Sequence, residues 1–470
     1  MLRPQSCTVA QCFANVDLTR PARSFGEHPK NLDSSHVSGM QFTARYSQVF
    51  AKLGGHRLMR PKATATVAAL GLVSALALTA CGSGAGNADR VVYWDTSNPS
   101  ESSVFAEIAR ECGRTGGYEV AVEAVSFDQA LNNYKTAAQG GQGPDVLRAD
   151  VGWVAQLARA GLIQDLSGTP LGTDTGDFLA GPLESTKYEG RSYGVPQVTD
   201  TLALFYNKRK LDEAGVAPPK SWEELRDVAP KLGGDKAFFI NNDEYYALPF
   251  LYTYGGDMVD AQARTIEVNS PESVRGLQMA KDLLDAGAAR TALDQPNSYG
   301  NMKAAFTSGE VAMVVDGPWA AAEYLESPEF ADPANLGIAQ VPGSATPSPV
   351  GGHDYVIRQG SDASEAATKF VECMSSTPNQ IAVAERLGLL PTRRSAYDSP
   401  AVTGNRMVAA FKPMVDSAHS RAWIPEGAEL LDPLQTAFAD ILAGREDTRT
   451  TLDGTAKLYK DTVVPDYAKR

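Results

Sequence analysis

Short apolar segments alternate with amphipathic segments along most of the chain. Residues 90–94 (RVVYW) and residues 118–125 (YEVAVEAV) are compact and apolar, which predicts two strands. Residues 102–112 and residues 127–138 carry apolar side chains at helical spacing, and residues 145–147 begin a further strand. This strand–helix order predicts a mainly parallel sheet that helices cover on both faces, the doubly wound α/β class.

The same alternation continues beyond this first unit. Residues 202–206 and 311–315 are strand-like, and residues 271–286 have the apolar spacing of a helix. Ser221 followed by Glu224 is the pattern of a capping box at a helix start. A chain of 470 residues exceeds what one core usually holds, so we predict two doubly wound lobes.

Composition and charge exclude several functional classes. Hydrophobic residues make up 43% of the chain and charged residues 21%, which is typical of a globular protein and excludes a protein with many membrane spans. The formal net charge of −13 would repel nucleic acid, so no nucleic-acid partner is expected. The five Cys form no C-x-x-C pair and only five His are present, so neither a metal nor another cofactor is predicted.

Residues 59–81 carry the strongest local signal. Basic residues precede an apolar stretch at residues 63–77, which is too short to span a bilayer and matches the middle region of a signal peptide. The ending Leu-Thr-Ala-Cys81 resembles the bacterial lipobox, which implies that residues 59–80 are a lipoprotein signal peptide and that Cys81 is lipidated. The alternative is a short buried helix in which Cys81 is only an apolar residue.

The segments on either side of this signal follow from it. Residues 81–89 contain GSGAG, which is typical of a flexible tether behind a lipid anchor. Because signal peptides begin at the chain start, we predict that Met59 is the initiator and that residues 1–58 are an over-called extension. The protein would then lie on the outer face of the cell membrane and contact it only through the anchor.

Several short motifs occur in one order along the mature chain: residues 143–146 (GPDV), 193–196 (YGVP), 205–208 (FYNK), 218–225 (PPKSWEEL), 306–313 (FTSGEVAM), 317–319 (GPW) and 390–393 (LPTR). Their order and spacing resemble the solute-binding proteins of ABC sugar importers, in particular the maltose/maltodextrin-binding group. The resemblance covers residues 90 to about 465. It implies the type II periplasmic-binding-protein fold, with two doubly wound lobes, a hinge and an interlobe cleft.

The resemblance also implies how the lobes divide. The first lobe would comprise residues 90–200 plus 354–396, and the second lobe residues 201–353 plus 397–470. An oligosaccharide bound in the cleft would shift an open–closed equilibrium, and the closed form would dock on the ABC permease in the membrane. We therefore expect a monomeric binding protein for maltose or maltodextrins that performs no catalysis.

Sugar-binding residues are predicted from the same resemblance. Sugar rings present C–H faces that pack on flat aromatic rings, and hydroxyls that form hydrogen bonds. The candidates in or near the first lobe are Asn98, Arg148, Asp150, Trp153 and Asp200. Other interpretations stay open, namely a helix cap for Asp150, a packed side chain for Trp153, a turn for Asn98 and a hinge cap for Asp200.

The remaining candidates lie in the second lobe or at the crossings between the lobes. They are Asp243, Tyr245, Trp319, Gly352, His353, Arg393, Trp423 and Glu426. One position departs from the family pattern, because Arg148 stands where the best-known maltose-binding protein has a Trp. Which sugar rings are stacked therefore stays open.

Two cysteines remain in the body of the protein. Cys112 and Cys373 both map to predicted helices of the first lobe, and the exported compartment permits oxidation. A disulfide and two buried thiols are both compatible with the sequence.

Three other functions are compatible with these residues. The first is the same binding role for trehalose or another oligosaccharide. The second is a glycoside hydrolase that draws a carboxylate pair from Asp150, Asp200 and Asp243. The third is an adhesion or scaffold lipoprotein, which would bind no small sugar.

Overall fold

The computed structural model describes residues 89–343 and 347–469. Its strands are β1 (Arg90–Asp95), β2 (Glu119–Ala124), β3 (Val146–Asp150), β4 (Lys187–Tyr188), β5 (Arg191–Ser192), β6 (Val195–Asp200), β7 (Ala203–Asn207), β8 (Phe238–Phe239), β9 (Val259–Asp260), β10 (Thr265–Ile266), β11 (Met313–Asp316), β12 (Leu336–Ala339), β13 (Gly351–Ile357), β14 (Leu390–Pro391) and β15 (Ala468–Lys469).

Its α-helices are α1 (Pro99–Gly116), α2 (Phe127–Gln139), α3 (Val154–Arg159), α4 (Pro170–Thr173), α5 (Ala180–Ser185), α6 (Lys208–Ala214), α7 (Trp222–Val228), α8 (Glu244–Thr253), α9 (Pro271–Asp285), α10 (Ser298–Thr307), α11 (Ala321–Glu326), α12 (Ser364–Met374), α13 (Thr377–Leu387), α14 (Pro400–Thr403), α15 (Arg406–Asp416), α16 (Leu431–Ala443) and α17 (Thr448–Leu458). The predicted cap before α7 is present, because Ser221 Oγ accepts a hydrogen bond from the Glu224 amide.

The first lobe is built on a six-stranded sheet in the order β14-β6-β13-β3-β1-β2. β1 pairs in parallel with β2 and β3, as the sequence predicts, whereas β13 runs antiparallel to both β3 and β6. β13 begins where the chain returns from the second lobe, at the same end of the sheet at which β3 and β6 finish. The returning strand must therefore run in the opposite direction, so the sheet is mixed.

The second lobe is built on a four-stranded sheet in the order β12-β7-β11-β8. β7 runs antiparallel to both of its neighbours, and β11 pairs in parallel with β8. Helices α8, α9, α16 and α17 bury Leu248, Leu277, Phe438 and Leu452 in one apolar cluster against this sheet. Each lobe thus has its own hydrophobic core, as the two-lobe fold requires.

Two crossings between the lobes lie side by side. β6 ends at Asp200 and β7 of the other sheet begins at Ala203, so only two buried residues separate the sheets. β13 brings the chain back, and its first residue Gly351 pairs with Asp200. The lobe boundaries given above remain a prediction, which the arrangement of the two sheets supports.

A disulfide joins two helices of the first lobe. Cys112 on α1 and Cys373 on α12 are bonded through their sulfur atoms, and their Cα atoms lie 5.8 Å apart. The bond closes a segment of 261 residues, so it connects the beginning of the first lobe with the part that the chain forms after its return.

The predicted extension (residues 1–58), the signal peptide (residues 59–80) and the lipidation site Cys81 lie outside the described residues. In the two ranges that the structure describes, no helix is long and apolar enough to cross a membrane. Within the same ranges, no group of three or more His, Cys, Asp or Glu side chains could hold a metal ion.

Candidate functional site

The interlobe site is built around Gly351. A Cβ added to this glycine would overlap Asp200 Oδ1 and would lie 2.5 Å from the hydroxyl oxygen of Tyr245. Asp200 ends strand β6 of the first lobe, whereas Tyr245 lies on α8 of the second lobe. Only a glycine leaves room for a carboxylate and a phenol to approach the same backbone atom from two lobes.

Asp150 lies beside this point at the carboxyl end of β3. Its register partner on β13 is His353, and its Oδ1 accepts a hydrogen bond of 2.7 Å from the Gly152 amide. The guanidinium of Arg421 approaches the same oxygen at 3.9 Å. Asp150 thus lies at a strand end, as the sequence predicts, and there it is next to the Arg421 cation of the second lobe.

Arg421 is the central cation of the site, and no sequence pattern pointed to it. Its side chain is buried, and its guanidinium lies 5.7 Å from the ring centre of Tyr245 and 5.4 Å from that of Trp423. These distances allow cation–π contacts with both rings. Arg421 precedes Trp423 by two residues in a segment without regular helix or strand, so hydrophobic periodicity could not select it.

Burial and like charge control the acids of the site. Burial raises the pKa of Asp200 to about 7, with a further contribution from the negative charge of Asp150, while Arg148 and Arg421 oppose the increase. Burial also raises the pKa of Asp150, against the attraction of Arg421. Asp200 can therefore exist near neutral pH either as a carboxyl donor or as a carboxylate acceptor.

Arg148 is buried within the first lobe. Its side chain is only 3% exposed, Nε donates to Gln197 Oε1 at 2.8 Å, and the guanidinium lies 5.3 Å from the ring centre of Phe105. These contacts hold the cation inside the first lobe. Its buried charge opposes the increase in the pKa of Asp200, and its sugar contact stays a prediction.

Trp153 belongs to a group of three rings in the first lobe. Its ring centre lies 5.1 Å from that of Phe127, which in turn lies 6.0 Å from the imidazole of His353. Phe127 is 43% exposed, which is unusual for a large apolar side chain, and the sequence did not single it out. Trp153 itself is buried, so Phe127 presents the accessible aromatic surface of the group.

His353 is neutral in this environment. Burial lowers its pKa well below the ordinary value, and the positive charge of Arg148 acts in the same direction. Neither ring nitrogen has a hydrogen-bond partner among the described residues. A neutral imidazole offers one donor and one acceptor, so both remain available to a ligand.

Trp319 lies on the second-lobe side of the site. Its ring centre is 6.4 Å from that of Tyr245, and its Nε1 donates to the Tyr299 hydroxyl at 3.0 Å. Its ring also covers Gly317, where any Cβ would overlap the indole. The indole is therefore partly buried and held in one orientation, as an aromatic platform for a sugar would be.

Three further candidates, Gly352, Asp243 and Trp423, have local contacts that the structure shows. Gly352 has φ = 134°, and a Cβ there would overlap the Val198 carbonyl, so it serves the close approach of β13 to β6. Asp243 precedes α8 and accepts a hydrogen bond of 3.1 Å from Asn241 Nδ2, and burial raises its pKa. Trp423 lies beside Arg421, and its Nε1 has no partner in the described part of the chain.

Three predicted contacts lie away from this centre or are already engaged. Asn98 is exposed, and its carbonyl accepts the first amides of α1, as expected of a helix cap. Glu426 forms an ion pair with Arg159 of the first lobe. The sugar contacts of these two residues stay predictions.

Arg393 is the third such residue. Its Nε donates to the Ser375 carbonyl at 2.6 Å, and its guanidinium stacks on Phe178 at 4.1 Å. Pro391 pairs with Val198 in an antiparallel register, so residue 393 lies toward the start of β6 and not toward Asp200 at its end. Arg393 therefore packs within the first lobe, and its sugar contact stays a prediction.

Comparison with known proteins agrees with this architecture. The sequence profile of a family described as bacterial extracellular solute-binding protein matches residues 107–410. Crystal structures of the GacH receptor of Streptomyces glaucescens GLA.O, unliganded and in complex with acarbose and an acarbose homolog, match with a TM-score of 0.77 and 40% identity. That match covers 80% of this chain and 99% of the receptor.

Two curated relatives are also similar over most of the chain. The maltotriose-binding protein of Pyrococcus abyssi is 24% identical over 82% of this chain and 83% of its own length. The maltooligosaccharide ABC transporter solute-binding lipoprotein of Streptococcus pneumoniae is 24% identical over 87% of this chain and 99% of its own length.

Proposed function

Because the chain belongs to the bacterial extracellular solute-binding protein family, we propose that it binds a malto-oligosaccharide between its lobes and delivers it to an ABC importer. The names of its relatives support this ligand class, since they bind maltotriose and maltooligosaccharides. The 40% identical receptor was solved with acarbose, which supports an oligosaccharide of this general kind.

One observation carries the proposal most directly. The Nε1 of Trp423 and both ring nitrogens of His353 are shielded from solvent but have no hydrogen-bond partner among the described residues. Buried polar atoms are nearly always bonded in folded proteins. A group of such atoms around one cleft, beside aromatic rings, suits a ligand rich in hydroxyls.

The chemistry of the site suits an uncharged sugar. Carboxylates of Asp150 and Asp200 would accept hydrogen bonds from sugar hydroxyls, and such charge-assisted bonds are about twice as strong as neutral ones. Arg421 would hold Asp150 in place and neutralise part of its charge. Trp319 would pack against the C–H face of a sugar ring.

Binding without catalysis fits the family of the chain better than glycoside hydrolysis does. One oxygen of Asp150 is already bonded to the Gly152 amide and faces Arg421, so the carboxylate is held as a fixed acceptor. A hydrolase would need a second carboxyl as proton donor or nucleophile, and Asp200 is such a group beside Asp150, so the absence of catalysis is inferred from the family of solute-binding proteins. We therefore expect no release of reducing sugar from maltotriose.

We also propose that Cys81 carries a lipid anchor on the outer face of the membrane. The lipobox-like sequence Leu-Thr-Ala-Cys81 supports this, and one relative is named a lipoprotein. Metabolic labelling with a fatty-acid probe tests it, with the Cys81→Ala variant as the matched control. Equal labelling of both proteins would contradict the anchor.

A thermal-shift screen tests the ligand class. Maltose, maltotriose, trehalose, sucrose and acarbose would be compared on the purified protein, because a ligand that binds only the folded state raises the melting temperature. We expect the largest increase with maltotriose or acarbose. Trehalose as the strongest ligand would favour the second candidate, and no shift with any sugar would contradict the proposed function.

A further inference from the structure

A second set of contacts joins the lobes beside the sugar site. α3 of the first lobe presents Gln156 and Arg159 to the irregular segment at residues 421–430. Arg159 forms an ion pair with Glu426, and Gln156 Nε2 donates to Glu429 Oε1 at 2.6 Å. Two polar contacts, one turn apart on α3, therefore reach the same short segment.

The two partners are anchored in different lobes. α3 is held to the first sheet through buried Leu157, which packs in one cluster with residues of β3 and β13. The segment at residues 421–430 is held to the second lobe, because Leu430 is buried in that core and its carbonyl accepts a 2.6 Å hydrogen bond from the Tyr459 hydroxyl. A hinge motion that separates the lobes must stretch or break these contacts.

Both contacts join protein groups of the two lobes. Glu426 and Arg159 satisfy each other, whereas Trp423 in the neighbouring site has an unpartnered Nε1 in the described residues. Arg159 is also partly exposed, unlike the buried Arg421. Gln156 is buried and its Oε1 has no hydrogen-bond partner among the described residues, whereas Arg159, Glu426 and Glu429 are partly or fully exposed. The ion pair therefore lies on the rim of the cleft and acts between the lobes.

We propose that Gln156, Arg159, Glu426 and Glu429 form an interlobe latch, which holds the closed form and slows release of the sugar without touching it. The latch rests on the proposed sugar-binding function and assigns Glu426 a positioning role. Because the contacts exist only when the lobes are close, they stabilise the closed state and not the first encounter with ligand. Their loss should therefore change the dissociation rate more than the association rate.

Charge reversal provides the test. Stopped-flow tryptophan fluorescence with maltotriose would give both rate constants for the wild type, Arg159→Glu, Glu426→Arg and the double variant. We expect each single reversal to speed dissociation about three- to tenfold, because exposed ion pairs contribute modestly and reversal adds repulsion. The double variant restores the pair with opposite polarity, so it should return to within about twofold of the wild-type rate.

A matched control separates the latch from general surface charge. Arg386 and Glu107 form a 2.8 Å ion pair in which Arg386 is about as exposed as Arg159, but both lie on helices of the first lobe, α13 and α1. Arg386→Glu should therefore leave both rate constants unchanged within about twofold. Unchanged dissociation in the Arg159 and Glu426 variants, or no rescue in the double variant, would overturn the latch.

Small-angle X-ray scattering distinguishes failure of the latch from failure of the proposed function. If the wild type binds none of the sugars, the ligand class is wrong, but the latch still predicts a larger radius of gyration for Arg159→Glu than for the wild type. Equal radii would then reject the latch as well. If the wild type binds maltotriose, the kinetic comparison decides.

Discussion

The carboxylate of Asp200 and the hydroxyl of Tyr245 both approach Gly351, although they come from different lobes. Asp200 is the last residue of β6, immediately before the chain leaves the first lobe, and Gly351 is the first residue after its return. The proposed sugar site and the crossings between the lobes are therefore built from the same backbone. A ligand that bonds Asp200 and Tyr245 together would connect the lobes next to the hinge itself.

Trp319→Ala should weaken maltotriose binding about tenfold or more while the protein stays folded, because the variant removes a partly buried aromatic face. Isothermal titration calorimetry measures the affinity, and circular dichroism checks the fold. Trp94→Ala is a suitable control, since the Trp94 indole donates to Glu123 between β1 and β2. Equal affinities of the Trp319 variant and the wild type would remove Trp319 from the site.

Asp200→Asn should change stability in a pH-dependent manner. Because burial raises the Asp200 pKa to about 7, the folded protein holds this proton more tightly than the unfolded chain does. Between about pH 4 and pH 7 the unfolded chain ionises Asp200, whereas the folded protein keeps the proton. The free energy of unfolding of the wild type therefore falls over this range, by about 4 kcal/mol at most.

The Asp200→Asn variant has a neutral amide at this position, so its stability does not fall with the ionisation of residue 200. Thermal unfolding of ligand-free protein should show Asp200→Asn to be more stable than the wild type at pH 8, with a smaller difference at pH 4. A constant difference across this range would mean that Asp200 titrates with an ordinary pKa. Sugar binding by the variant should be weaker, because the amide provides one oxygen acceptor where the carboxylate provides two.

Arg421 and Arg393 provide a matched pair of substitutions. Arg421→Gln should weaken sugar binding at least about tenfold, because Asp150 loses its cation and the site loses its central donor. Arg393→Gln should change the affinity less than about twofold, because its guanidinium is engaged by Ser375 and Phe178. Calorimetry on both folded variants checks this, and the opposite ranking would restore Arg393 as a sugar contact.

Reduction of the Cys112–Cys373 disulfide should destabilise the first lobe. The bond constrains a long segment of the unfolded chain, and loss of such a native bond typically costs about 2–5 kcal/mol. Thermal unfolding with and without reductant measures the change. The Cys112→Ser/Cys373→Ser variant is the control, because its melting temperature should be low and insensitive to reductant.

Local sequence patterns were sufficient for much of the fold. The apolar segments at residues 90–94 and 271–286 match β1 and α9 closely, because strand and helix periodicity are local properties. The antiparallel direction of β13 in the first sheet could not be predicted from local patterns. It depends on where the chain returns from the other lobe, which is a property of the whole topology.

The residues of the candidate site likewise divide into those that the sequence could indicate and those that it could not. Asp150, Asp200, Tyr245 and Trp319 could be selected because the resemblance to sugar-binding proteins aligned them with the cleft. Arg421 and Phe127 carry no local signal, since their positions depend on packing between distant segments. Arg393 and Glu426 have suitable side chains, but residue type does not reveal that Phe178 and Arg159 already engage them.

A crystal structure of the protein grown with maltotriose tests the central claim most directly. The account predicts sugar density in the interlobe cleft, with one ring against Trp319 and hydroxyls within hydrogen-bond distance of Asp200 and Tyr245. Density for the sugar at another surface, with the cleft filled by ordered water, would contradict it.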